Sequence, residues 1–139
     1  MVSRDQIVEA ARRWKGTPWR HQGRTPVGID CAGLIVCVAK ELGLSDFDTT
    51  DYQRTAQQHK LLGYFREHMD AQPLKELKAG DVILFRDSAY PCHVAMVAEK
   101  NGALYIIHAH AERRVVLEEQ LSEHWKSKWV AGFKFKGVE

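Results

Sequence analysis

The sequence predicts an α+β domain in which N-terminal helices pack on a mostly antiparallel sheet, and three observations predict it. Apolar residues recur at helical spacing from Ile7 to Trp14 and again, almost all round, from Leu34 to Leu42. After Gly80 the pattern changes to short strand-like runs. The Asn101-Gly102 pair between two of these runs is a hairpin turn, which makes the pairing antiparallel.

Ser3 with Gln6 reads as a capping box, and Ile7, Ala10, Ala11 and Trp14 give an amphipathic first helix ending near Lys15. The stretch from Gly16 to Ile29, punctuated by Gly16, Pro18, Gly23, Pro26 and Gly28, reads as a loop lying over the next element. A buried helix then runs from Cys31 to Leu42, with Asp30 as N-cap and Gly43 as its stop. From Asp51 to Met69, with Tyr52, Ala56, Leu62 and Phe65 as apolar markers, one or two exposed helices broken at Gly63 are expected. Strands are expected at Val82–Phe85, Val94–Ala98, Leu104–Ala109 and Val115–Leu117. A short helix over Glu118–Lys126 and a last strand over Trp129–Phe135 complete the list.

Composition bounds the function. A chain of 139 residues, 45% hydrophobic and 27% charged, suits one domain over residues 1–139 with a self-sufficient core. Twenty Lys and Arg against eighteen Asp and Glu leave a net charge of +2, too small to imply a nucleic-acid or membrane partner. Arg4, Asp5 and Glu9 interrupt the N-terminus, so a secretory signal is not expected there, and synthesis in the cytoplasm is. Three cysteines, Cys31, Cys37 and Cys92, without a Cys-x-x-Cys pair argue against both a disulfide framework and a zinc ribbon.

The residues with chemistry come in an order: Cys31 at the start of a buried helix, His93 opening a strand, His108 near the end of the next. A thiol at a helix N-terminus has its thiolate stabilised by backbone donors and the helix dipole, and a neighbouring imidazolium would lower its pKa further. The hairpin between His93 and His108 returns the chain to its start, so one imidazole can orient the other as the third member of a triad does. The backbone N–H of Cys31 is the natural first oxyanion donor, and the indole N–H of Trp19 is a candidate second. Cys37, among Val36, Val38 and Ala39, reads as a core residue. Cys92 points away from the face of His93 by strand alternation, and His110 shares the face of His108 if that strand continues. The other histidines read as surface residues. A zinc set of Cys31, Cys92, His93, His108 and His110 lacks the ligand spacing of a structural site, so no metal or cofactor is expected.

Five blocks in order, Gly16-Thr17-Pro18-Trp19, Gly28 to Leu34, Ala79 to Phe85, His93 to Val97 and Ile106-Ile107-His108-Ala109, resemble the NlpC-type papain-like cysteine peptidases. The resemblance implies a papain-like α+β fold and hydrolysis of peptidoglycan stem peptides between D-glutamate and a diamino acid. By position it gives Cys31 as nucleophile, His93 as general base, His108 as the third polar residue, and Asp30 as shaping the substrate site. Ala32 stands where the family commonly has Ser, and Trp19 where it commonly has Tyr; both changes fall in the substrate cleft. The stand-alone size and the stretch Arg20-His21-Gln22-Gly23-Arg24 resemble the phage-encoded branch, which implies phage-type tail proteins as partners and action at the periplasmic wall. Two rivals stay open: a non-catalytic tail-tip component, and a papain-like acyltransferase or amidase.

Overall fold

The computed structural model describes residues 1–52, 60–87 and 90–139. Helix α1 (Arg4–Arg12) begins with the expected capping box: the Ser3 hydroxyl accepts from the Gln6 N–H while the Gln6 side chain accepts from the Ser3 N–H. It ends at Arg12, short of Lys15, having buried Ile7, Val8, Ala10 and Ala11. The stretch expected as a plain loop carries a small ribbon, β1 (Arg24–Thr25) against β2 (Gly28–Ile29). Helix α2 (Cys31–Glu41) follows, with Asp30 as its N-cap, and the chain leaves it through Gly43 at φ +69°, a backbone conformation that favours glycine.

Helix α3 (Lys60–His68) runs through Gly63, so the expected break there is absent. A glycine costs a helix about 1 kcal/mol relative to alanine, and the burial of Leu61 and Phe65 on either side outweighs that. The marker Ala56 lies outside the described residues.

The remaining elements are β3 (Asp70–Gln72), a single 3-10 turn (Leu74–Glu76), β4 (Val82–Asp87), β5 (Tyr90–Lys100), β6 (Ala103–His110), β7 (Val115–Gln120), α4 (Glu123–Lys126) and β8 (Trp129–Lys134). The strands β3 to β8 form one antiparallel sheet in the order β3-β8-β4-β5-β6-β7. The Asn101-Gly102 turn is as expected: both residues have positive φ and Lys100 pairs with Ala103 across it.

Several boundaries differ from expectation, and those near the two histidines do so for a physical reason. β5 begins at Tyr90, so His93 lies inside the strand instead of opening it; Pro91 and the turn-like residues before it hide the extension. Glu118, Glu119 and Gln120 continue β7 instead of starting a helix, because Glu118 finds Arg12 on α1 and Glu119 finds His108 on β6. Helix α4 starts only after Ser122, whose hydroxyl caps the Trp125 N–H. Strand β3 is three residues long and polar, too little for a sequence pattern.

The sheet has two buried faces. Val82, Leu84, Val94, Met96 and Ala98 pack against α1 and α2 in the larger core. Ile83, Phe85, Ala95, Val97 and Ile106 pack under Leu121 and Trp125 in a smaller one.

Candidate active site

The first half of the site is the start of α2. The carboxylate of Asp30 is only 3% exposed and is bonded on every side. It accepts from the Gly33 N–H at 2.7 Å, the Gln22 N–H at 2.7 Å, the Tyr52 hydroxyl at 2.7 Å and the Arg24 guanidinium at 3.0 Å. Arg24 also donates to Asp48, to the Thr49 carbonyl and to the Tyr52 hydroxyl. A single buried acid thus ties the loop before α2 and the stretch 48–52 to the first helical turn. Burial, then the charge of Asp30, pushes the Tyr52 phenol well up, so the hydroxyl remains a donor. With Arg24 paired to it, Asp30 caps the helix without leaving an uncompensated negative charge beside Cys31.

Cys31, the first residue of α2, is half-buried at the margin of the larger core. Gly33 is required two residues later: a Cβ there would stand 2.4 Å from the Gly23 carbonyl oxygen and 2.9 Å from an Arg24 nitrogen. Trp19 is brought to the same region by the backbone. Its N–H donates to the Arg114 carbonyl at 2.9 Å, and the residue bridges Ile29, two positions before Cys31. Its ring stacks with His21 at 6.4 Å between centroids. Ala32 is 5% exposed and lines an apolar pocket between α2, α3 and the stretch 45–52.

The second half is a chain of three side chains on the sheet. Nε2 of His93 lies 2.8 Å from Nδ1 of His108, and Nε2 of His108 lies 2.6 Å from a carboxylate oxygen of Glu119. His108 is fully buried. The rungs between β5 and β6 run from Lys100↔Ala103 to Met96↔Ile107, and both imidazoles lie beyond the Met96 end. Phe85 and Trp125 pack against the His93 ring, at 6.0 and 5.6 Å. The two histidines therefore border the smaller core, while their chain neighbours Val94 and Ala109 belong to the larger core against which Cys31 packs.

Burial first, then the neighbouring His108 and His110, holds the His93 pKa well below that of a free imidazole. Burial lowers His108 as well, against the pull of Glu119. The hydrogen bond from His108, then that from Arg113, lowers the Glu119 carboxyl to about 2. Neutral rings beside an ionised Glu119 are the state at neutral pH.

Sequence reasoning brought His93 and His108 together correctly and placed His110 on their face: its ring centroid is 5.3 Å from that of His108. It missed Glu119 and Arg113. The signal was present in the alternation of β7, since Leu117 pairs with His108 and Glu119 with Ile106, so both face the imidazole side. Ending the strand at Leu117 concealed it. Cys37 lies inside α2 with its thiol 3.5 Å from the Arg24 carbonyl, and burial pushes its pKa up, in keeping with a core role. The side chain of Cys92 lies outside those described. Among the described residues, no group of three or more His, Cys, Asp or Glu side chains is arranged to hold a metal ion. Among them, too, no helix is long and apolar enough to cross a membrane.

The pattern of the NlpC/P60 family matches residues 16–134. Murein DD-endopeptidase MepS/Murein LD-carboxypeptidase of Escherichia coli strain K12 is 23% identical over 126 residues, 91% of this chain and 60% of that protein. The chain thus spans about 60% of the length of that relative. The probable endopeptidase NlpC of the same organism is 28% identical over 128 residues, 90% of this chain and 74% of that protein. Among solved structures, an NlpC/P60 family protein from Bacillus cereus superposes with a TM-score of 0.73 at 21% identity, over 96% of this chain and 40% of that one. That likeness shows the papain-like α+β fold.

Proposed function

The chain belongs to the NlpC/P60 family, and from that premise we propose that it is a cysteine peptidase that hydrolyses peptidoglycan stem peptides at the bond between D-glutamate and a diamino acid. The observation that carries the reading is the hydrogen-bonded pair His93–His108, set beyond the last rung of β5 and β6, together with a thiol at the capped start of α2. The endopeptidase activities named for the two Escherichia coli relatives support it.

In this reading the thiol of Cys31 meets Nδ1 of His93 where β5 and β6 are no longer paired with each other. Nδ1 takes the thiol proton, and the sulfur attacks the amide carbonyl carbon. The oxyanion is held by the N–H of Cys31 at the helix start and by the indole N–H of Trp19. The tetrahedral intermediate collapses to a thioester, and the leaving amine takes the proton back from His93. Water, deprotonated by His93, then attacks the thioester and frees the acid and the thiol. His108 orients His93 throughout. A base with a depressed pKa is neutral across the physiological range, so the acid limb of kcat/KM lies below pH 6.5. Delivery to the wall by a phage-type tail belongs to the same proposal; it rests on sequence resemblance, and mass spectrometry of purified particles tests it.

Incubation with purified stem peptides and mass measurement of the products tests the reaction. Cleavage with gain of one water, lost in Cys31→Ser, is expected. A product joined to an amine would make the protein an acyltransferase. Iodoacetamide should label Cys31 quickly at neutral pH; sluggish labelling would favour a structural role.

A further inference from the structure

An imidazole used as the third residue of a triad has a difficulty that a carboxylate does not. Its single proton sits on either nitrogen, so it cannot by itself fix the proton on the base it orients. We propose that Glu119 is a positioning residue that sets the tautomer of both imidazoles, so that His93 presents a bare Nδ1 to the thiol; the role rests on the reading of Cys31 and His93 as nucleophile and base.

Each ring proton is fixed by the hydrogen bond it makes. An ionised carboxylate only accepts, so the contact between Glu119 and Nε2 of His108 places the His108 proton on Nε2. Nδ1 of neutral His108 is then an acceptor. The nitrogen 2.8 Å from it, Nε2 of His93, must donate. That leaves Nδ1 of His93 with its lone pair and no hydrogen. The opposite order would put a hydrogen on Nδ1 of His93, and a ring that aims an N–H at a thiol cannot take its proton.

Glu119 is itself held. Arg113 donates to the same carboxylate oxygen through Nη2 and to Nδ1 of His110 through Nε, the latter at 3.1 Å. His110 thereby anchors the arginine that keeps Glu119 charged and aimed. Trp125 packs edge-on to His108 at 5.1 Å, and His108 is fully buried, so solvent does not supply a competing donor to that ring. The charged or titratable groups that bear on the two rings from the elements around them are Glu119, Arg113, His110 and Lys128. Of these Glu119 alone bonds to the His93–His108 pair.

Histidine tautomers are read directly by long-range proton–nitrogen correlation NMR on protein labelled with nitrogen-15 histidine at pH 7.5. Protons on Nε2 of both His93 and His108 are expected in the unsubstituted protein; a proton on Nδ1 of either overturns the proposal before any variant is made. In Glu119→Gln the carboxamide can turn its NH2 toward His108 and reverse the order, so a population with Nδ1–H on both rings is expected. With it, kcat should fall by about 10²-fold or more with KM nearly unchanged, as for a triad whose tautomer is wrong. Glu119→Asp, which keeps the charge, should recover part of the rate. Unchanged tautomers and unchanged kcat in Glu119→Gln overturn the proposal. The spectrum needs no turnover: a protein inert toward stem peptides with the Nε2–H pattern intact upholds the role of Glu119 and counts only against the peptidase reading.

Discussion

Asp30 illustrates how one residue prepares another. Its carboxylate spends all of its hydrogen-bonding capacity on Gly33, Gln22, Tyr52 and Arg24, so any influence on substrate runs through where Cys31 and Tyr52 are held. Trp19 is set near the same helix start through its backbone, which leaves its side chain to be tested separately. Trp19→Phe keeps the bulk and removes the indole donor. If that N–H holds the oxyanion, kcat should fall by about 10²-fold with KM little changed. Unchanged turnover of stem peptides would remove Trp19 from the oxyanion site and leave the N–H of Cys31 as the donor.

At the scale of elements, the junction between the β1–β2 ribbon and α2 is packed so closely that Gly33 has no room for a methyl group. The atom it would strike first is the carbonyl oxygen of Gly23, a backbone atom that cannot rotate away as a side chain does. Gly33→Ala should therefore destabilise the fold by about 1–3 kcal/mol, read as a lower urea midpoint with an unchanged slope. It should also slow alkylation of Cys31, because the Asp30–Gly33 hydrogen bond that fixes the first turn is displaced. The sheet contributes the other half of the site by the same economy of position. Two rings beyond the last rung of β5 and β6 meet each other, while the rungs behind them keep the strands aligned.

For the whole molecule, the site carries a stability cost that depends on pH. His93 and His108 are buried and their pKa values lie below the ordinary imidazole value, so the unfolded chain binds protons there that the folded one does not. Stability is then fully present above about pH 6.5 and is lost as pH falls through the folded values, at a rate approaching about 1.4 kcal/mol per pH unit for each ring. Glu119, lowered to about 2, adds a further loss below the ordinary carboxylate range. Thermal unfolding between pH 7.5 and 5 should show this decline, and His93→Gln should reduce its slope. A flat profile would mean that the rings remain accessible to protons.

The fold class, the capping box of α1, the start of α2 at Asp30 and the Asn101-Gly102 hairpin were legible in the chain itself, because each depends on residues within a few positions of one another. The meeting of His93 with His108 was legible for the same reason, since a two-residue turn leaves their strands little freedom of register. Tertiary contact alone decided the rest. Gly63 stays helical because Leu61 and Phe65 are buried, β7 extends through Glu118 and Glu119 because their partners stand on other elements, and Arg24 reaches Asp30 and Tyr52 only once the loops close. Local pattern encodes what nearest neighbours dictate, whereas the partner of a buried charge is chosen by whatever the fold brings within reach.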